Sequence, residues 1–364
     1  MAMKLTDIAK LAGVSKATVS RAFSHPEKLR EDTLKRVMDI AAMFNYHPNT
    51  LAKAVAHQRS GLVGFVMFHK SRPFFAHTFY GPALDGFLER AKARGYHVLL
   101  GATTRRNDNF EEDFIKDSID GAVLVTRDPG PLVKTFHSRS IPVVLINEET
   151  EAENTGSVVC DDYGGMEKIL AHLIEDRGYK DIAFFSNRLS HVCNTKRYFA
   201  YVDMLNKYGL APYTNPDLPE YDVLDSYDPN PQVLASYGRR EIPRFGTPVI
   251  FASAKTEVVE KAMEKLLPLN KMPRAIVCSD DSIAIGVCRA LKKNGIRIPE
   301  DVAVTGFDDI EMASYCSPSL TTVRVDPYDL GAAAMDLLCK YIGAPNMPSE
   351  RICIGCELVI RESS

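Results

Sequence analysis

The side chains best equipped for recognition chemistry lie near the N-terminus, in LTDIAKLAGVSKATVSRAFS, residues 5–24. Lys16 and Arg21 can donate to guanine O6 and N7. Ala17 and Ser20 share their outward face at helical spacing. Ser15 and Thr18 can donate to phosphate oxygens, helped by a helix N-terminus. A second set is scattered through the rest of the chain and follows apolar runs: Asn147 after VVLI, Asp161 after SVVC, Lys196 and Arg197 in NTKRYFAY, and Asp281 in CSDDSIAIG. A planar guanidinium facing carboxylates and amides suits a polyhydroxylated ligand, because each group can engage two hydroxyls. For each of these, a structural ion pair or a strand-end cap is the competing role.

Other candidates carry less. CIGC (Cys353, Cys356) has the spacing of half a zinc site, but no second pair or His cluster accompanies it. The pairs Asp161–Asp162, Asp280–Asp281 and Asp308–Asp309 come with no nucleophile, and adjacent strand residues point apart. There is neither a phosphate-cradling Gly loop nor a G-x-S-x-G elbow. The reading is a non-enzyme with no cofactor and no metal.

The first set needs a helical scaffold. Thr6 is placed to cap a helix whose inward residues are Ile8, Leu11 and Ala12, and Gly13 to end it. Ser15 opens a second helix with Val19 and Ala22 inward. Small Ala9, the Gly13 turn and β-branched Val19 have the spacing of a helix-turn-helix. EDTLKRVMDIAAMFNY supplies a third helix with Leu34, Val37, Ile40, Ala41 and Phe44 on one stripe. Residues 1–60 hold ten Lys/Arg against five Asp/Glu, while the remainder holds 34 against 42. A basic head on an acidic body points to a polyanion partner for the head alone.

The second set needs strands. From Gly61 onward, short apolar runs alternate with amphipathic helices: LVGFVMF, GPALDGFLERAKARGY, HVLLGAT, NDNFEEDFIKDSI, DGAVLVT, LVKTFHSRS and IPVVLIN, then a second such series. This predicts an α/β fold with two parallel, doubly wound sheets, hence two lobes, with ligand beyond the strand C-termini. No apolar stretch reaches 18 residues, the N-terminus lacks a signal-peptide core, and the eight Cys are scattered. A cytoplasmic protein with no membrane partner is expected.

The motifs AGVSKATVSRAF and NYHPN, with CSDDSIAIGVCRALKKNGIRIPEDVAVTGFDDIEMASYCSPSLTTVRVDPYDLG and ELVIRESS, resemble the LacI/GalR family of bacterial transcriptional regulators over the whole chain. The stretch SVVCDDYGG…NTKRYFAY is similar to both the galactose and the trehalose-6-phosphate repressors. The resemblance implies a helix-turn-helix domain (1–46), a hinge helix (47–60) and a periplasmic-binding-protein-like body (61–364). It also implies three crossings between lobes, placed near 161–164, 296–300 and 324–327. The first lobe would then hold about 61–162 and 299–325, and the second about 163–297 and 326–343. Base contacts map to Lys16, Ala17 and Arg21. Asn49, Leu51, Ala52, Lys53 and Val55 map to a helix that folds in the minor groove. Val55 stands where the family usually has a wedging Leu.

The resemblance also assigns Asn147, Arg197 and Asp281 to the ligand, with Asp161 at the lobe junction. Several features depart from the family. Arg30 replaces the usual cap of the third helix, leaving Asp32 or Thr33 to supply it. HKSRPFFAHTFYG is longer than usual, so Phe74–Phe75 or Phe79–Tyr80 is the cleft pair, with Phe79 and Tyr80 preferred on spacing. Residues 215–248 are an extra segment. Arg72 and Lys196 form part of a basic cluster that admits a sugar phosphate beside a neutral sugar as effector. The leading function is a ligand-responsive repressor binding a palindromic operator as a homodimer. The alternative is a sugar-binding or carbohydrate-active protein with an incidental helical head. No leucine heptad follows RESS, so a dimer rather than a coiled-coil tetramer is expected.

Overall fold

The computed structural model describes residues 3–24, 26–44, 46, 59–68, 78–103, 119–126, 129–150, 152–187, 189, 191–211, 249–250, 255–267, 272–344 and 347–364. In the head, α1 (Leu5–Ala12) ends at Gly13, whose φ of 65° is the left-handed conformation that closes a helix without a Cβ penalty. α2 (Lys16–Ser24) begins after Ser15, whose Oγ accepts the Thr18 N–H at 3.1 Å. α3 (Glu31–Met43) closes the bundle. Ile8, Ala9, Ala12, Val19, Ala22, Val37, Ala41 and Tyr46 form the buried core.

Two expected caps differ. α1 starts one residue before Thr6, and the cap is made in reverse: the Asp7 carboxylate accepts the Lys4 backbone N–H at 3.0 Å. A charged acceptor in the first turn outcompetes a hydroxyl. Neither Asp32 nor Thr33 caps α3. Arg30 occupies that position without a side-chain bond, and Glu31 and Asp32 offset the exposed helix dipole.

In the body, one sheet runs β11-β5-β4-β3-β1-β2 and another β7-β6-β8-β9. The strands of the first are β1 (Leu62–Phe68), β2 (His97–Thr103), β3 (Gly121–Val125), β4 (Val143–Ile146), β5 (Thr155–Cys160) and β11 (Arg351–Ile354). Those of the second are β6 (Ile182–Ser186), β7 (Val249–Ile250), β8 (Ala275–Cys278) and β9 (Ala303–Thr305). β11 through β1, and all of the second sheet, pair in parallel. β3, β4, β5, β6 and β8 are buried along their whole length, as parallel strands covered on both faces must be. β10 (Thr322–Val325) and β12 (Cys356–Val359) form an antiparallel pair apart from both sheets.

This topology corrects the expected division into lobes. β9 pairs with β8, and Val302, Val304, Ala313 and Leu320 pack into the second lobe's core, so 299–325 does not belong to the first lobe. The helix Pro327–Gly343 packs on the helix Tyr80–Ala93 and on β3, β4 and β5, so 326–343 does not belong to the second. The chain passes between lobes after β5, after β10 and at Gly355 between β11 and β12. No crossing occurs at 296–300, where Ile296 and Ile298 pack against the second core. Apolar periodicity identifies a strand, but sheet membership is a non-local property that periodicity does not carry.

The helices Tyr80–Ala93 and Pro327–Gly343 cross at backbone contact. A Cβ on Gly331 would stand 1.8 Å from the Ala83 carbonyl oxygen, and one on Gly86 2.1 Å from that of Tyr328. Among the described residues, no helix is long and apolar enough to cross a membrane.

Candidate functional site

The head presents one polar face. Lys16, Ala17 and Arg21 are exposed on α2, opposite buried Val19 and Ala22. Thr18 and Ser20 are half-buried, and the Ser15 and Thr18 hydroxyls lie 2.9 Å apart at the start of the helix. Thr6 is half-buried in the first turn of α1, two residues past the cap position. Asn49, Leu51, Ala52, Lys53 and Val55 lie outside the described residues, as does Arg72.

In the body, strand C-termini from the first lobe face a helix start from the second. Phe68 ends β1, Val125 and Thr126 end β3, and Ile146, Asn147 and Glu148 end β4. Tyr80 opens the helix Tyr80–Ala93, and His191, Val192 and Cys193 open the helix Val192–Lys207. Together they line a cavity of about 50 Å³.

Tyr80 packs edge-on against Phe79 at 5.2 Å; Phe79 is buried in the first core, so of this pair it is Tyr80 that lines the cavity, beside Phe68. The alternative pair, Phe74–Phe75, lies outside the described residues. Asn147 adopts φ 55°, and its Oδ1 accepts the Cys160 N–H at 3.2 Å, tying the end of β4 to β5.

Arg197 is buried and fully committed within the second lobe. Its Nε donates to Asp162 Oδ1 at 2.9 Å, its Nη2 to Asp308 Oδ1 at 3.2 Å, and its Nη1 to the Ser279 carbonyl. The guanidinium lies 3.6 Å above the Phe307 ring. Burial alone would lower its pKa, but Asp162 and Asp308 reverse that and hold it above its ordinary value. Asp308 is pushed up to about 7, by burial first, with Asp280 and Asp162 adding to the push and Arg197 opposing it.

Three other expected ligand groups are also engaged by the protein. Asp281 is buried; its carboxylate accepts the Thr322 hydroxyl at 2.6 Å and the Ile310 N–H at 2.8 Å, and burial pushes its pKa well above the carboxylate range. Asp161 caps the helix Asp162–Ala171 by accepting the Gly164 N–H at 3.1 Å. Lys196 is buried and donates to Glu149 Oε1 at 2.6 Å, the oxygen that also accepts from Arg351 at 2.9 Å. Burial would raise the Glu149 carboxyl, but these two cations hold it below its usual range.

Asp162, Asp308, Glu149 and Arg351, and the lining residues Thr126, Glu148, His191 and Cys193, escaped the sequence reading. For the two aspartates a signal existed: each belongs to one of the Asp pairs. In the pairs the two carboxylates do diverge. Asp161 caps while Asp162 meets Arg197, and Asp308 meets Arg197 while Asp309 meets Arg324 and Arg361. Cys353 is exposed on β11 and Cys356 buried on β12, and no group of metal-ligating side chains occurs among the described residues.

A helix-turn-helix head on a two-lobed α/β body defines a class of ligand-responsive transcriptional regulators. Family profiles match along almost the whole chain: bacterial regulatory proteins of the lacI family at residues 4–49, the periplasmic binding proteins and sugar binding domain of the LacI family at 60–228, and a periplasmic binding protein-like domain at 233–364. The chain belongs to the LacI family and is a DNA-binding transcriptional regulator.

It is 27% identical over 362 residues to the probable transcriptional repressor ExuR of Bacillus subtilis (strain 168), covering 99% of this chain and 97% of the relative. It is also 27% identical over 372 residues to the regulator RegA of Clostridium saccharobutylicum, covering all of both. Among solved structures, the lac repressor dimer bound to operator and an anti-inducer superposes with a TM-score of 0.78 at 20% identity, over 100% of this chain and 99% of that one. The regulator CelR in complex with cellobiose gives 0.67 at 23% over 100% of both. At those identities the structures establish the fold.

Proposed function

We propose that the chain represses transcription as a homodimer on a palindromic operator, reading bases with Lys16, Ala17 and Arg21, and that it responds to a polyhydroxylated effector held between the lobes. The observation that carries the reading is the two-faced α2: Val19 and Ala22 are committed to the core while Lys16, Ala17 and Arg21 are left exposed along one side. Such a helix can lie in the major groove without disturbing its own bundle. A homodimer suits this use, since two identical heads read a two-fold operator; the lac repressor neighbour is itself a dimer on operator.

For the effector, Asn147, Thr126, Glu148 and His191 offer donors and acceptors beside Tyr80. Lys196 is committed to Glu149 and Arg197 to two carboxylates, so the described walls favour a neutral sugar over a sugar phosphate. CelR with cellobiose and an Enterococcus faecium family member with bound ribose are neighbours of the same fold that hold neutral sugars. Galactose and trehalose 6-phosphate belong on the test panel, although the relatives named above carry other names. The connector 47–60, with Val55 as its shortened wedge, would couple lobe geometry to the minor groove.

The test is a thermal-shift panel of cellobiose, ribose, galactose, trehalose 6-phosphate and inorganic phosphate. A ligand at 100 times its Kd stabilises by about 2.7 kcal/mol. The active compound should also change operator retention in a gel shift. Shifts from the phosphates alone would overturn the preference for a neutral sugar.

A further inference from the structure

Glu149 follows β4 in the first lobe, and Arg351 opens β11 in the same sheet. Lys196 rides on the helix Val192–Lys207 of the second lobe, which packs against the helix Asp162–Ala171 and β6. The 2.6 Å Lys196–Glu149 ion pair therefore joins the lobes, with the Lys196 side chain only 4% exposed and Glu149 25%. Arg351, reaching the same Glu149 oxygen, fixes that carboxylate from within the first lobe. The neighbouring Arg197 finds its partners inside the second lobe, so the two adjacent cations do different jobs. Lys196 sits one turn beyond His191, Val192 and Cys193, which line the small inter-lobe cavity. The pair spans the two lobes one turn from this cavity, so separating the lobes pulls Lys196 from Glu149.

We propose that the Lys196–Glu149 pair, braced by Arg351, is a latch that holds the lobes together and sets the free-energy gap between closed and open forms. It rests on reading the cleft as the effector site and adds how that site is gated. Any ligand that bridges the lobes without displacing the pair strengthens the closed form; one that intrudes on it favours the open form.

The test needs no effector. Hydrogen exchange followed by mass spectrometry on the full-length protein compares wild type with Glu149→Gln, Lys196→Met and the double variant. Each single change should speed exchange about tenfold in peptides spanning 143–150 and 191–199, while peptides within 80–93 and 327–343 stay as in wild type. The double variant should exchange no faster than the faster single, because both remove one interaction. Glu149→Gln preserves shape, so it reports even where Lys196→Met fails to fold. Unchanged exchange at the cleft, or acceleration everywhere alike, would overturn the latch and leave the effector site standing. A ligand panel with no hit would damage the effector reading and leave the exchange result intact.

Discussion

Replacing Asp308 by Asn should flatten the pH dependence of stability. In the wild type, Asp308 is pushed up to about 7 by burial, with the neighbouring Asp280 and Asp162 carboxylates adding to the push and the Arg197 guanidinium it shares with Asp162 only partly opposing it. The unfolded carboxyl titrates near its ordinary 3.8. Between these values the native state binds a proton that the unfolded state lacks, so stability falls as pH rises through that window. The raised carboxyl therefore costs most above pH 7, and acidification relieves the cost. With these two pKa values, the Asp308 contribution is about 2 kcal/mol more favourable at pH 5.5 than at pH 8.

Asn keeps an oxygen for Arg197 Nη2 and leaves Asp162 as the full counter-charge, so the fold survives. Urea denaturation of both proteins at the two pH values gives the comparison. The wild-type stability difference between pH 5.5 and pH 8 should exceed that of Asp308→Asn by about 2 kcal/mol. Asp280 and Asp281, also raised by burial, contribute in the same direction to both proteins. Equal pH slopes would refute the buried shared-guanidinium arrangement.

Arg21→Ala should weaken binding to the specific site by about 1–3 kcal/mol and relax base preference at one position, read by gel shift over a panel of operator variants. Gly331→Ala should lower the melting temperature, costing about 1–3 kcal/mol, because its Cβ meets the Ala83 carbonyl. Gly343→Ala, at a helix end with nothing within 4 Å, should be neutral or stabilising in the same melt. Val55→Leu should tighten operator binding and increase DNA bending, measured by circular-permutation gel shift; no change in either would count against a wedging connector.

The helices and strands were legible because their signals are local. Ile8, Ala12, Val19 and Ala22 show helical spacing, and the VVLI and AIVC runs show fully buried strands. The lobe boundaries were half legible. A strand such as Ala275–Cys278 announces itself by its apolar run, but that Ala303–Thr305 pairs beside it in the second sheet depends on residues far away in sequence. The body's polar groups were the least legible. Asp281 and Asp308 both follow short apolar strands in Asp-Asp pairs, yet Asp281 turns inward to Thr322 and Ile310 while Asp308 meets Arg197. Which member of a pair faces which way is decided by packing that a linear pattern does not encode. Likewise Lys196 looked like part of an anion site, and a Glu149 brought in from the other lobe neutralises it.

The most direct measurement of the central claim is a gel shift on the DNA upstream of the chain's own gene, comparing the full chain, Lys16→Ala/Arg21→Ala and a form lacking residues 1–60. The full chain should retain one specific fragment, the double variant should lose that preference, and the truncated form should bind nothing. Equal retention by the truncated form would contradict DNA recognition by the head.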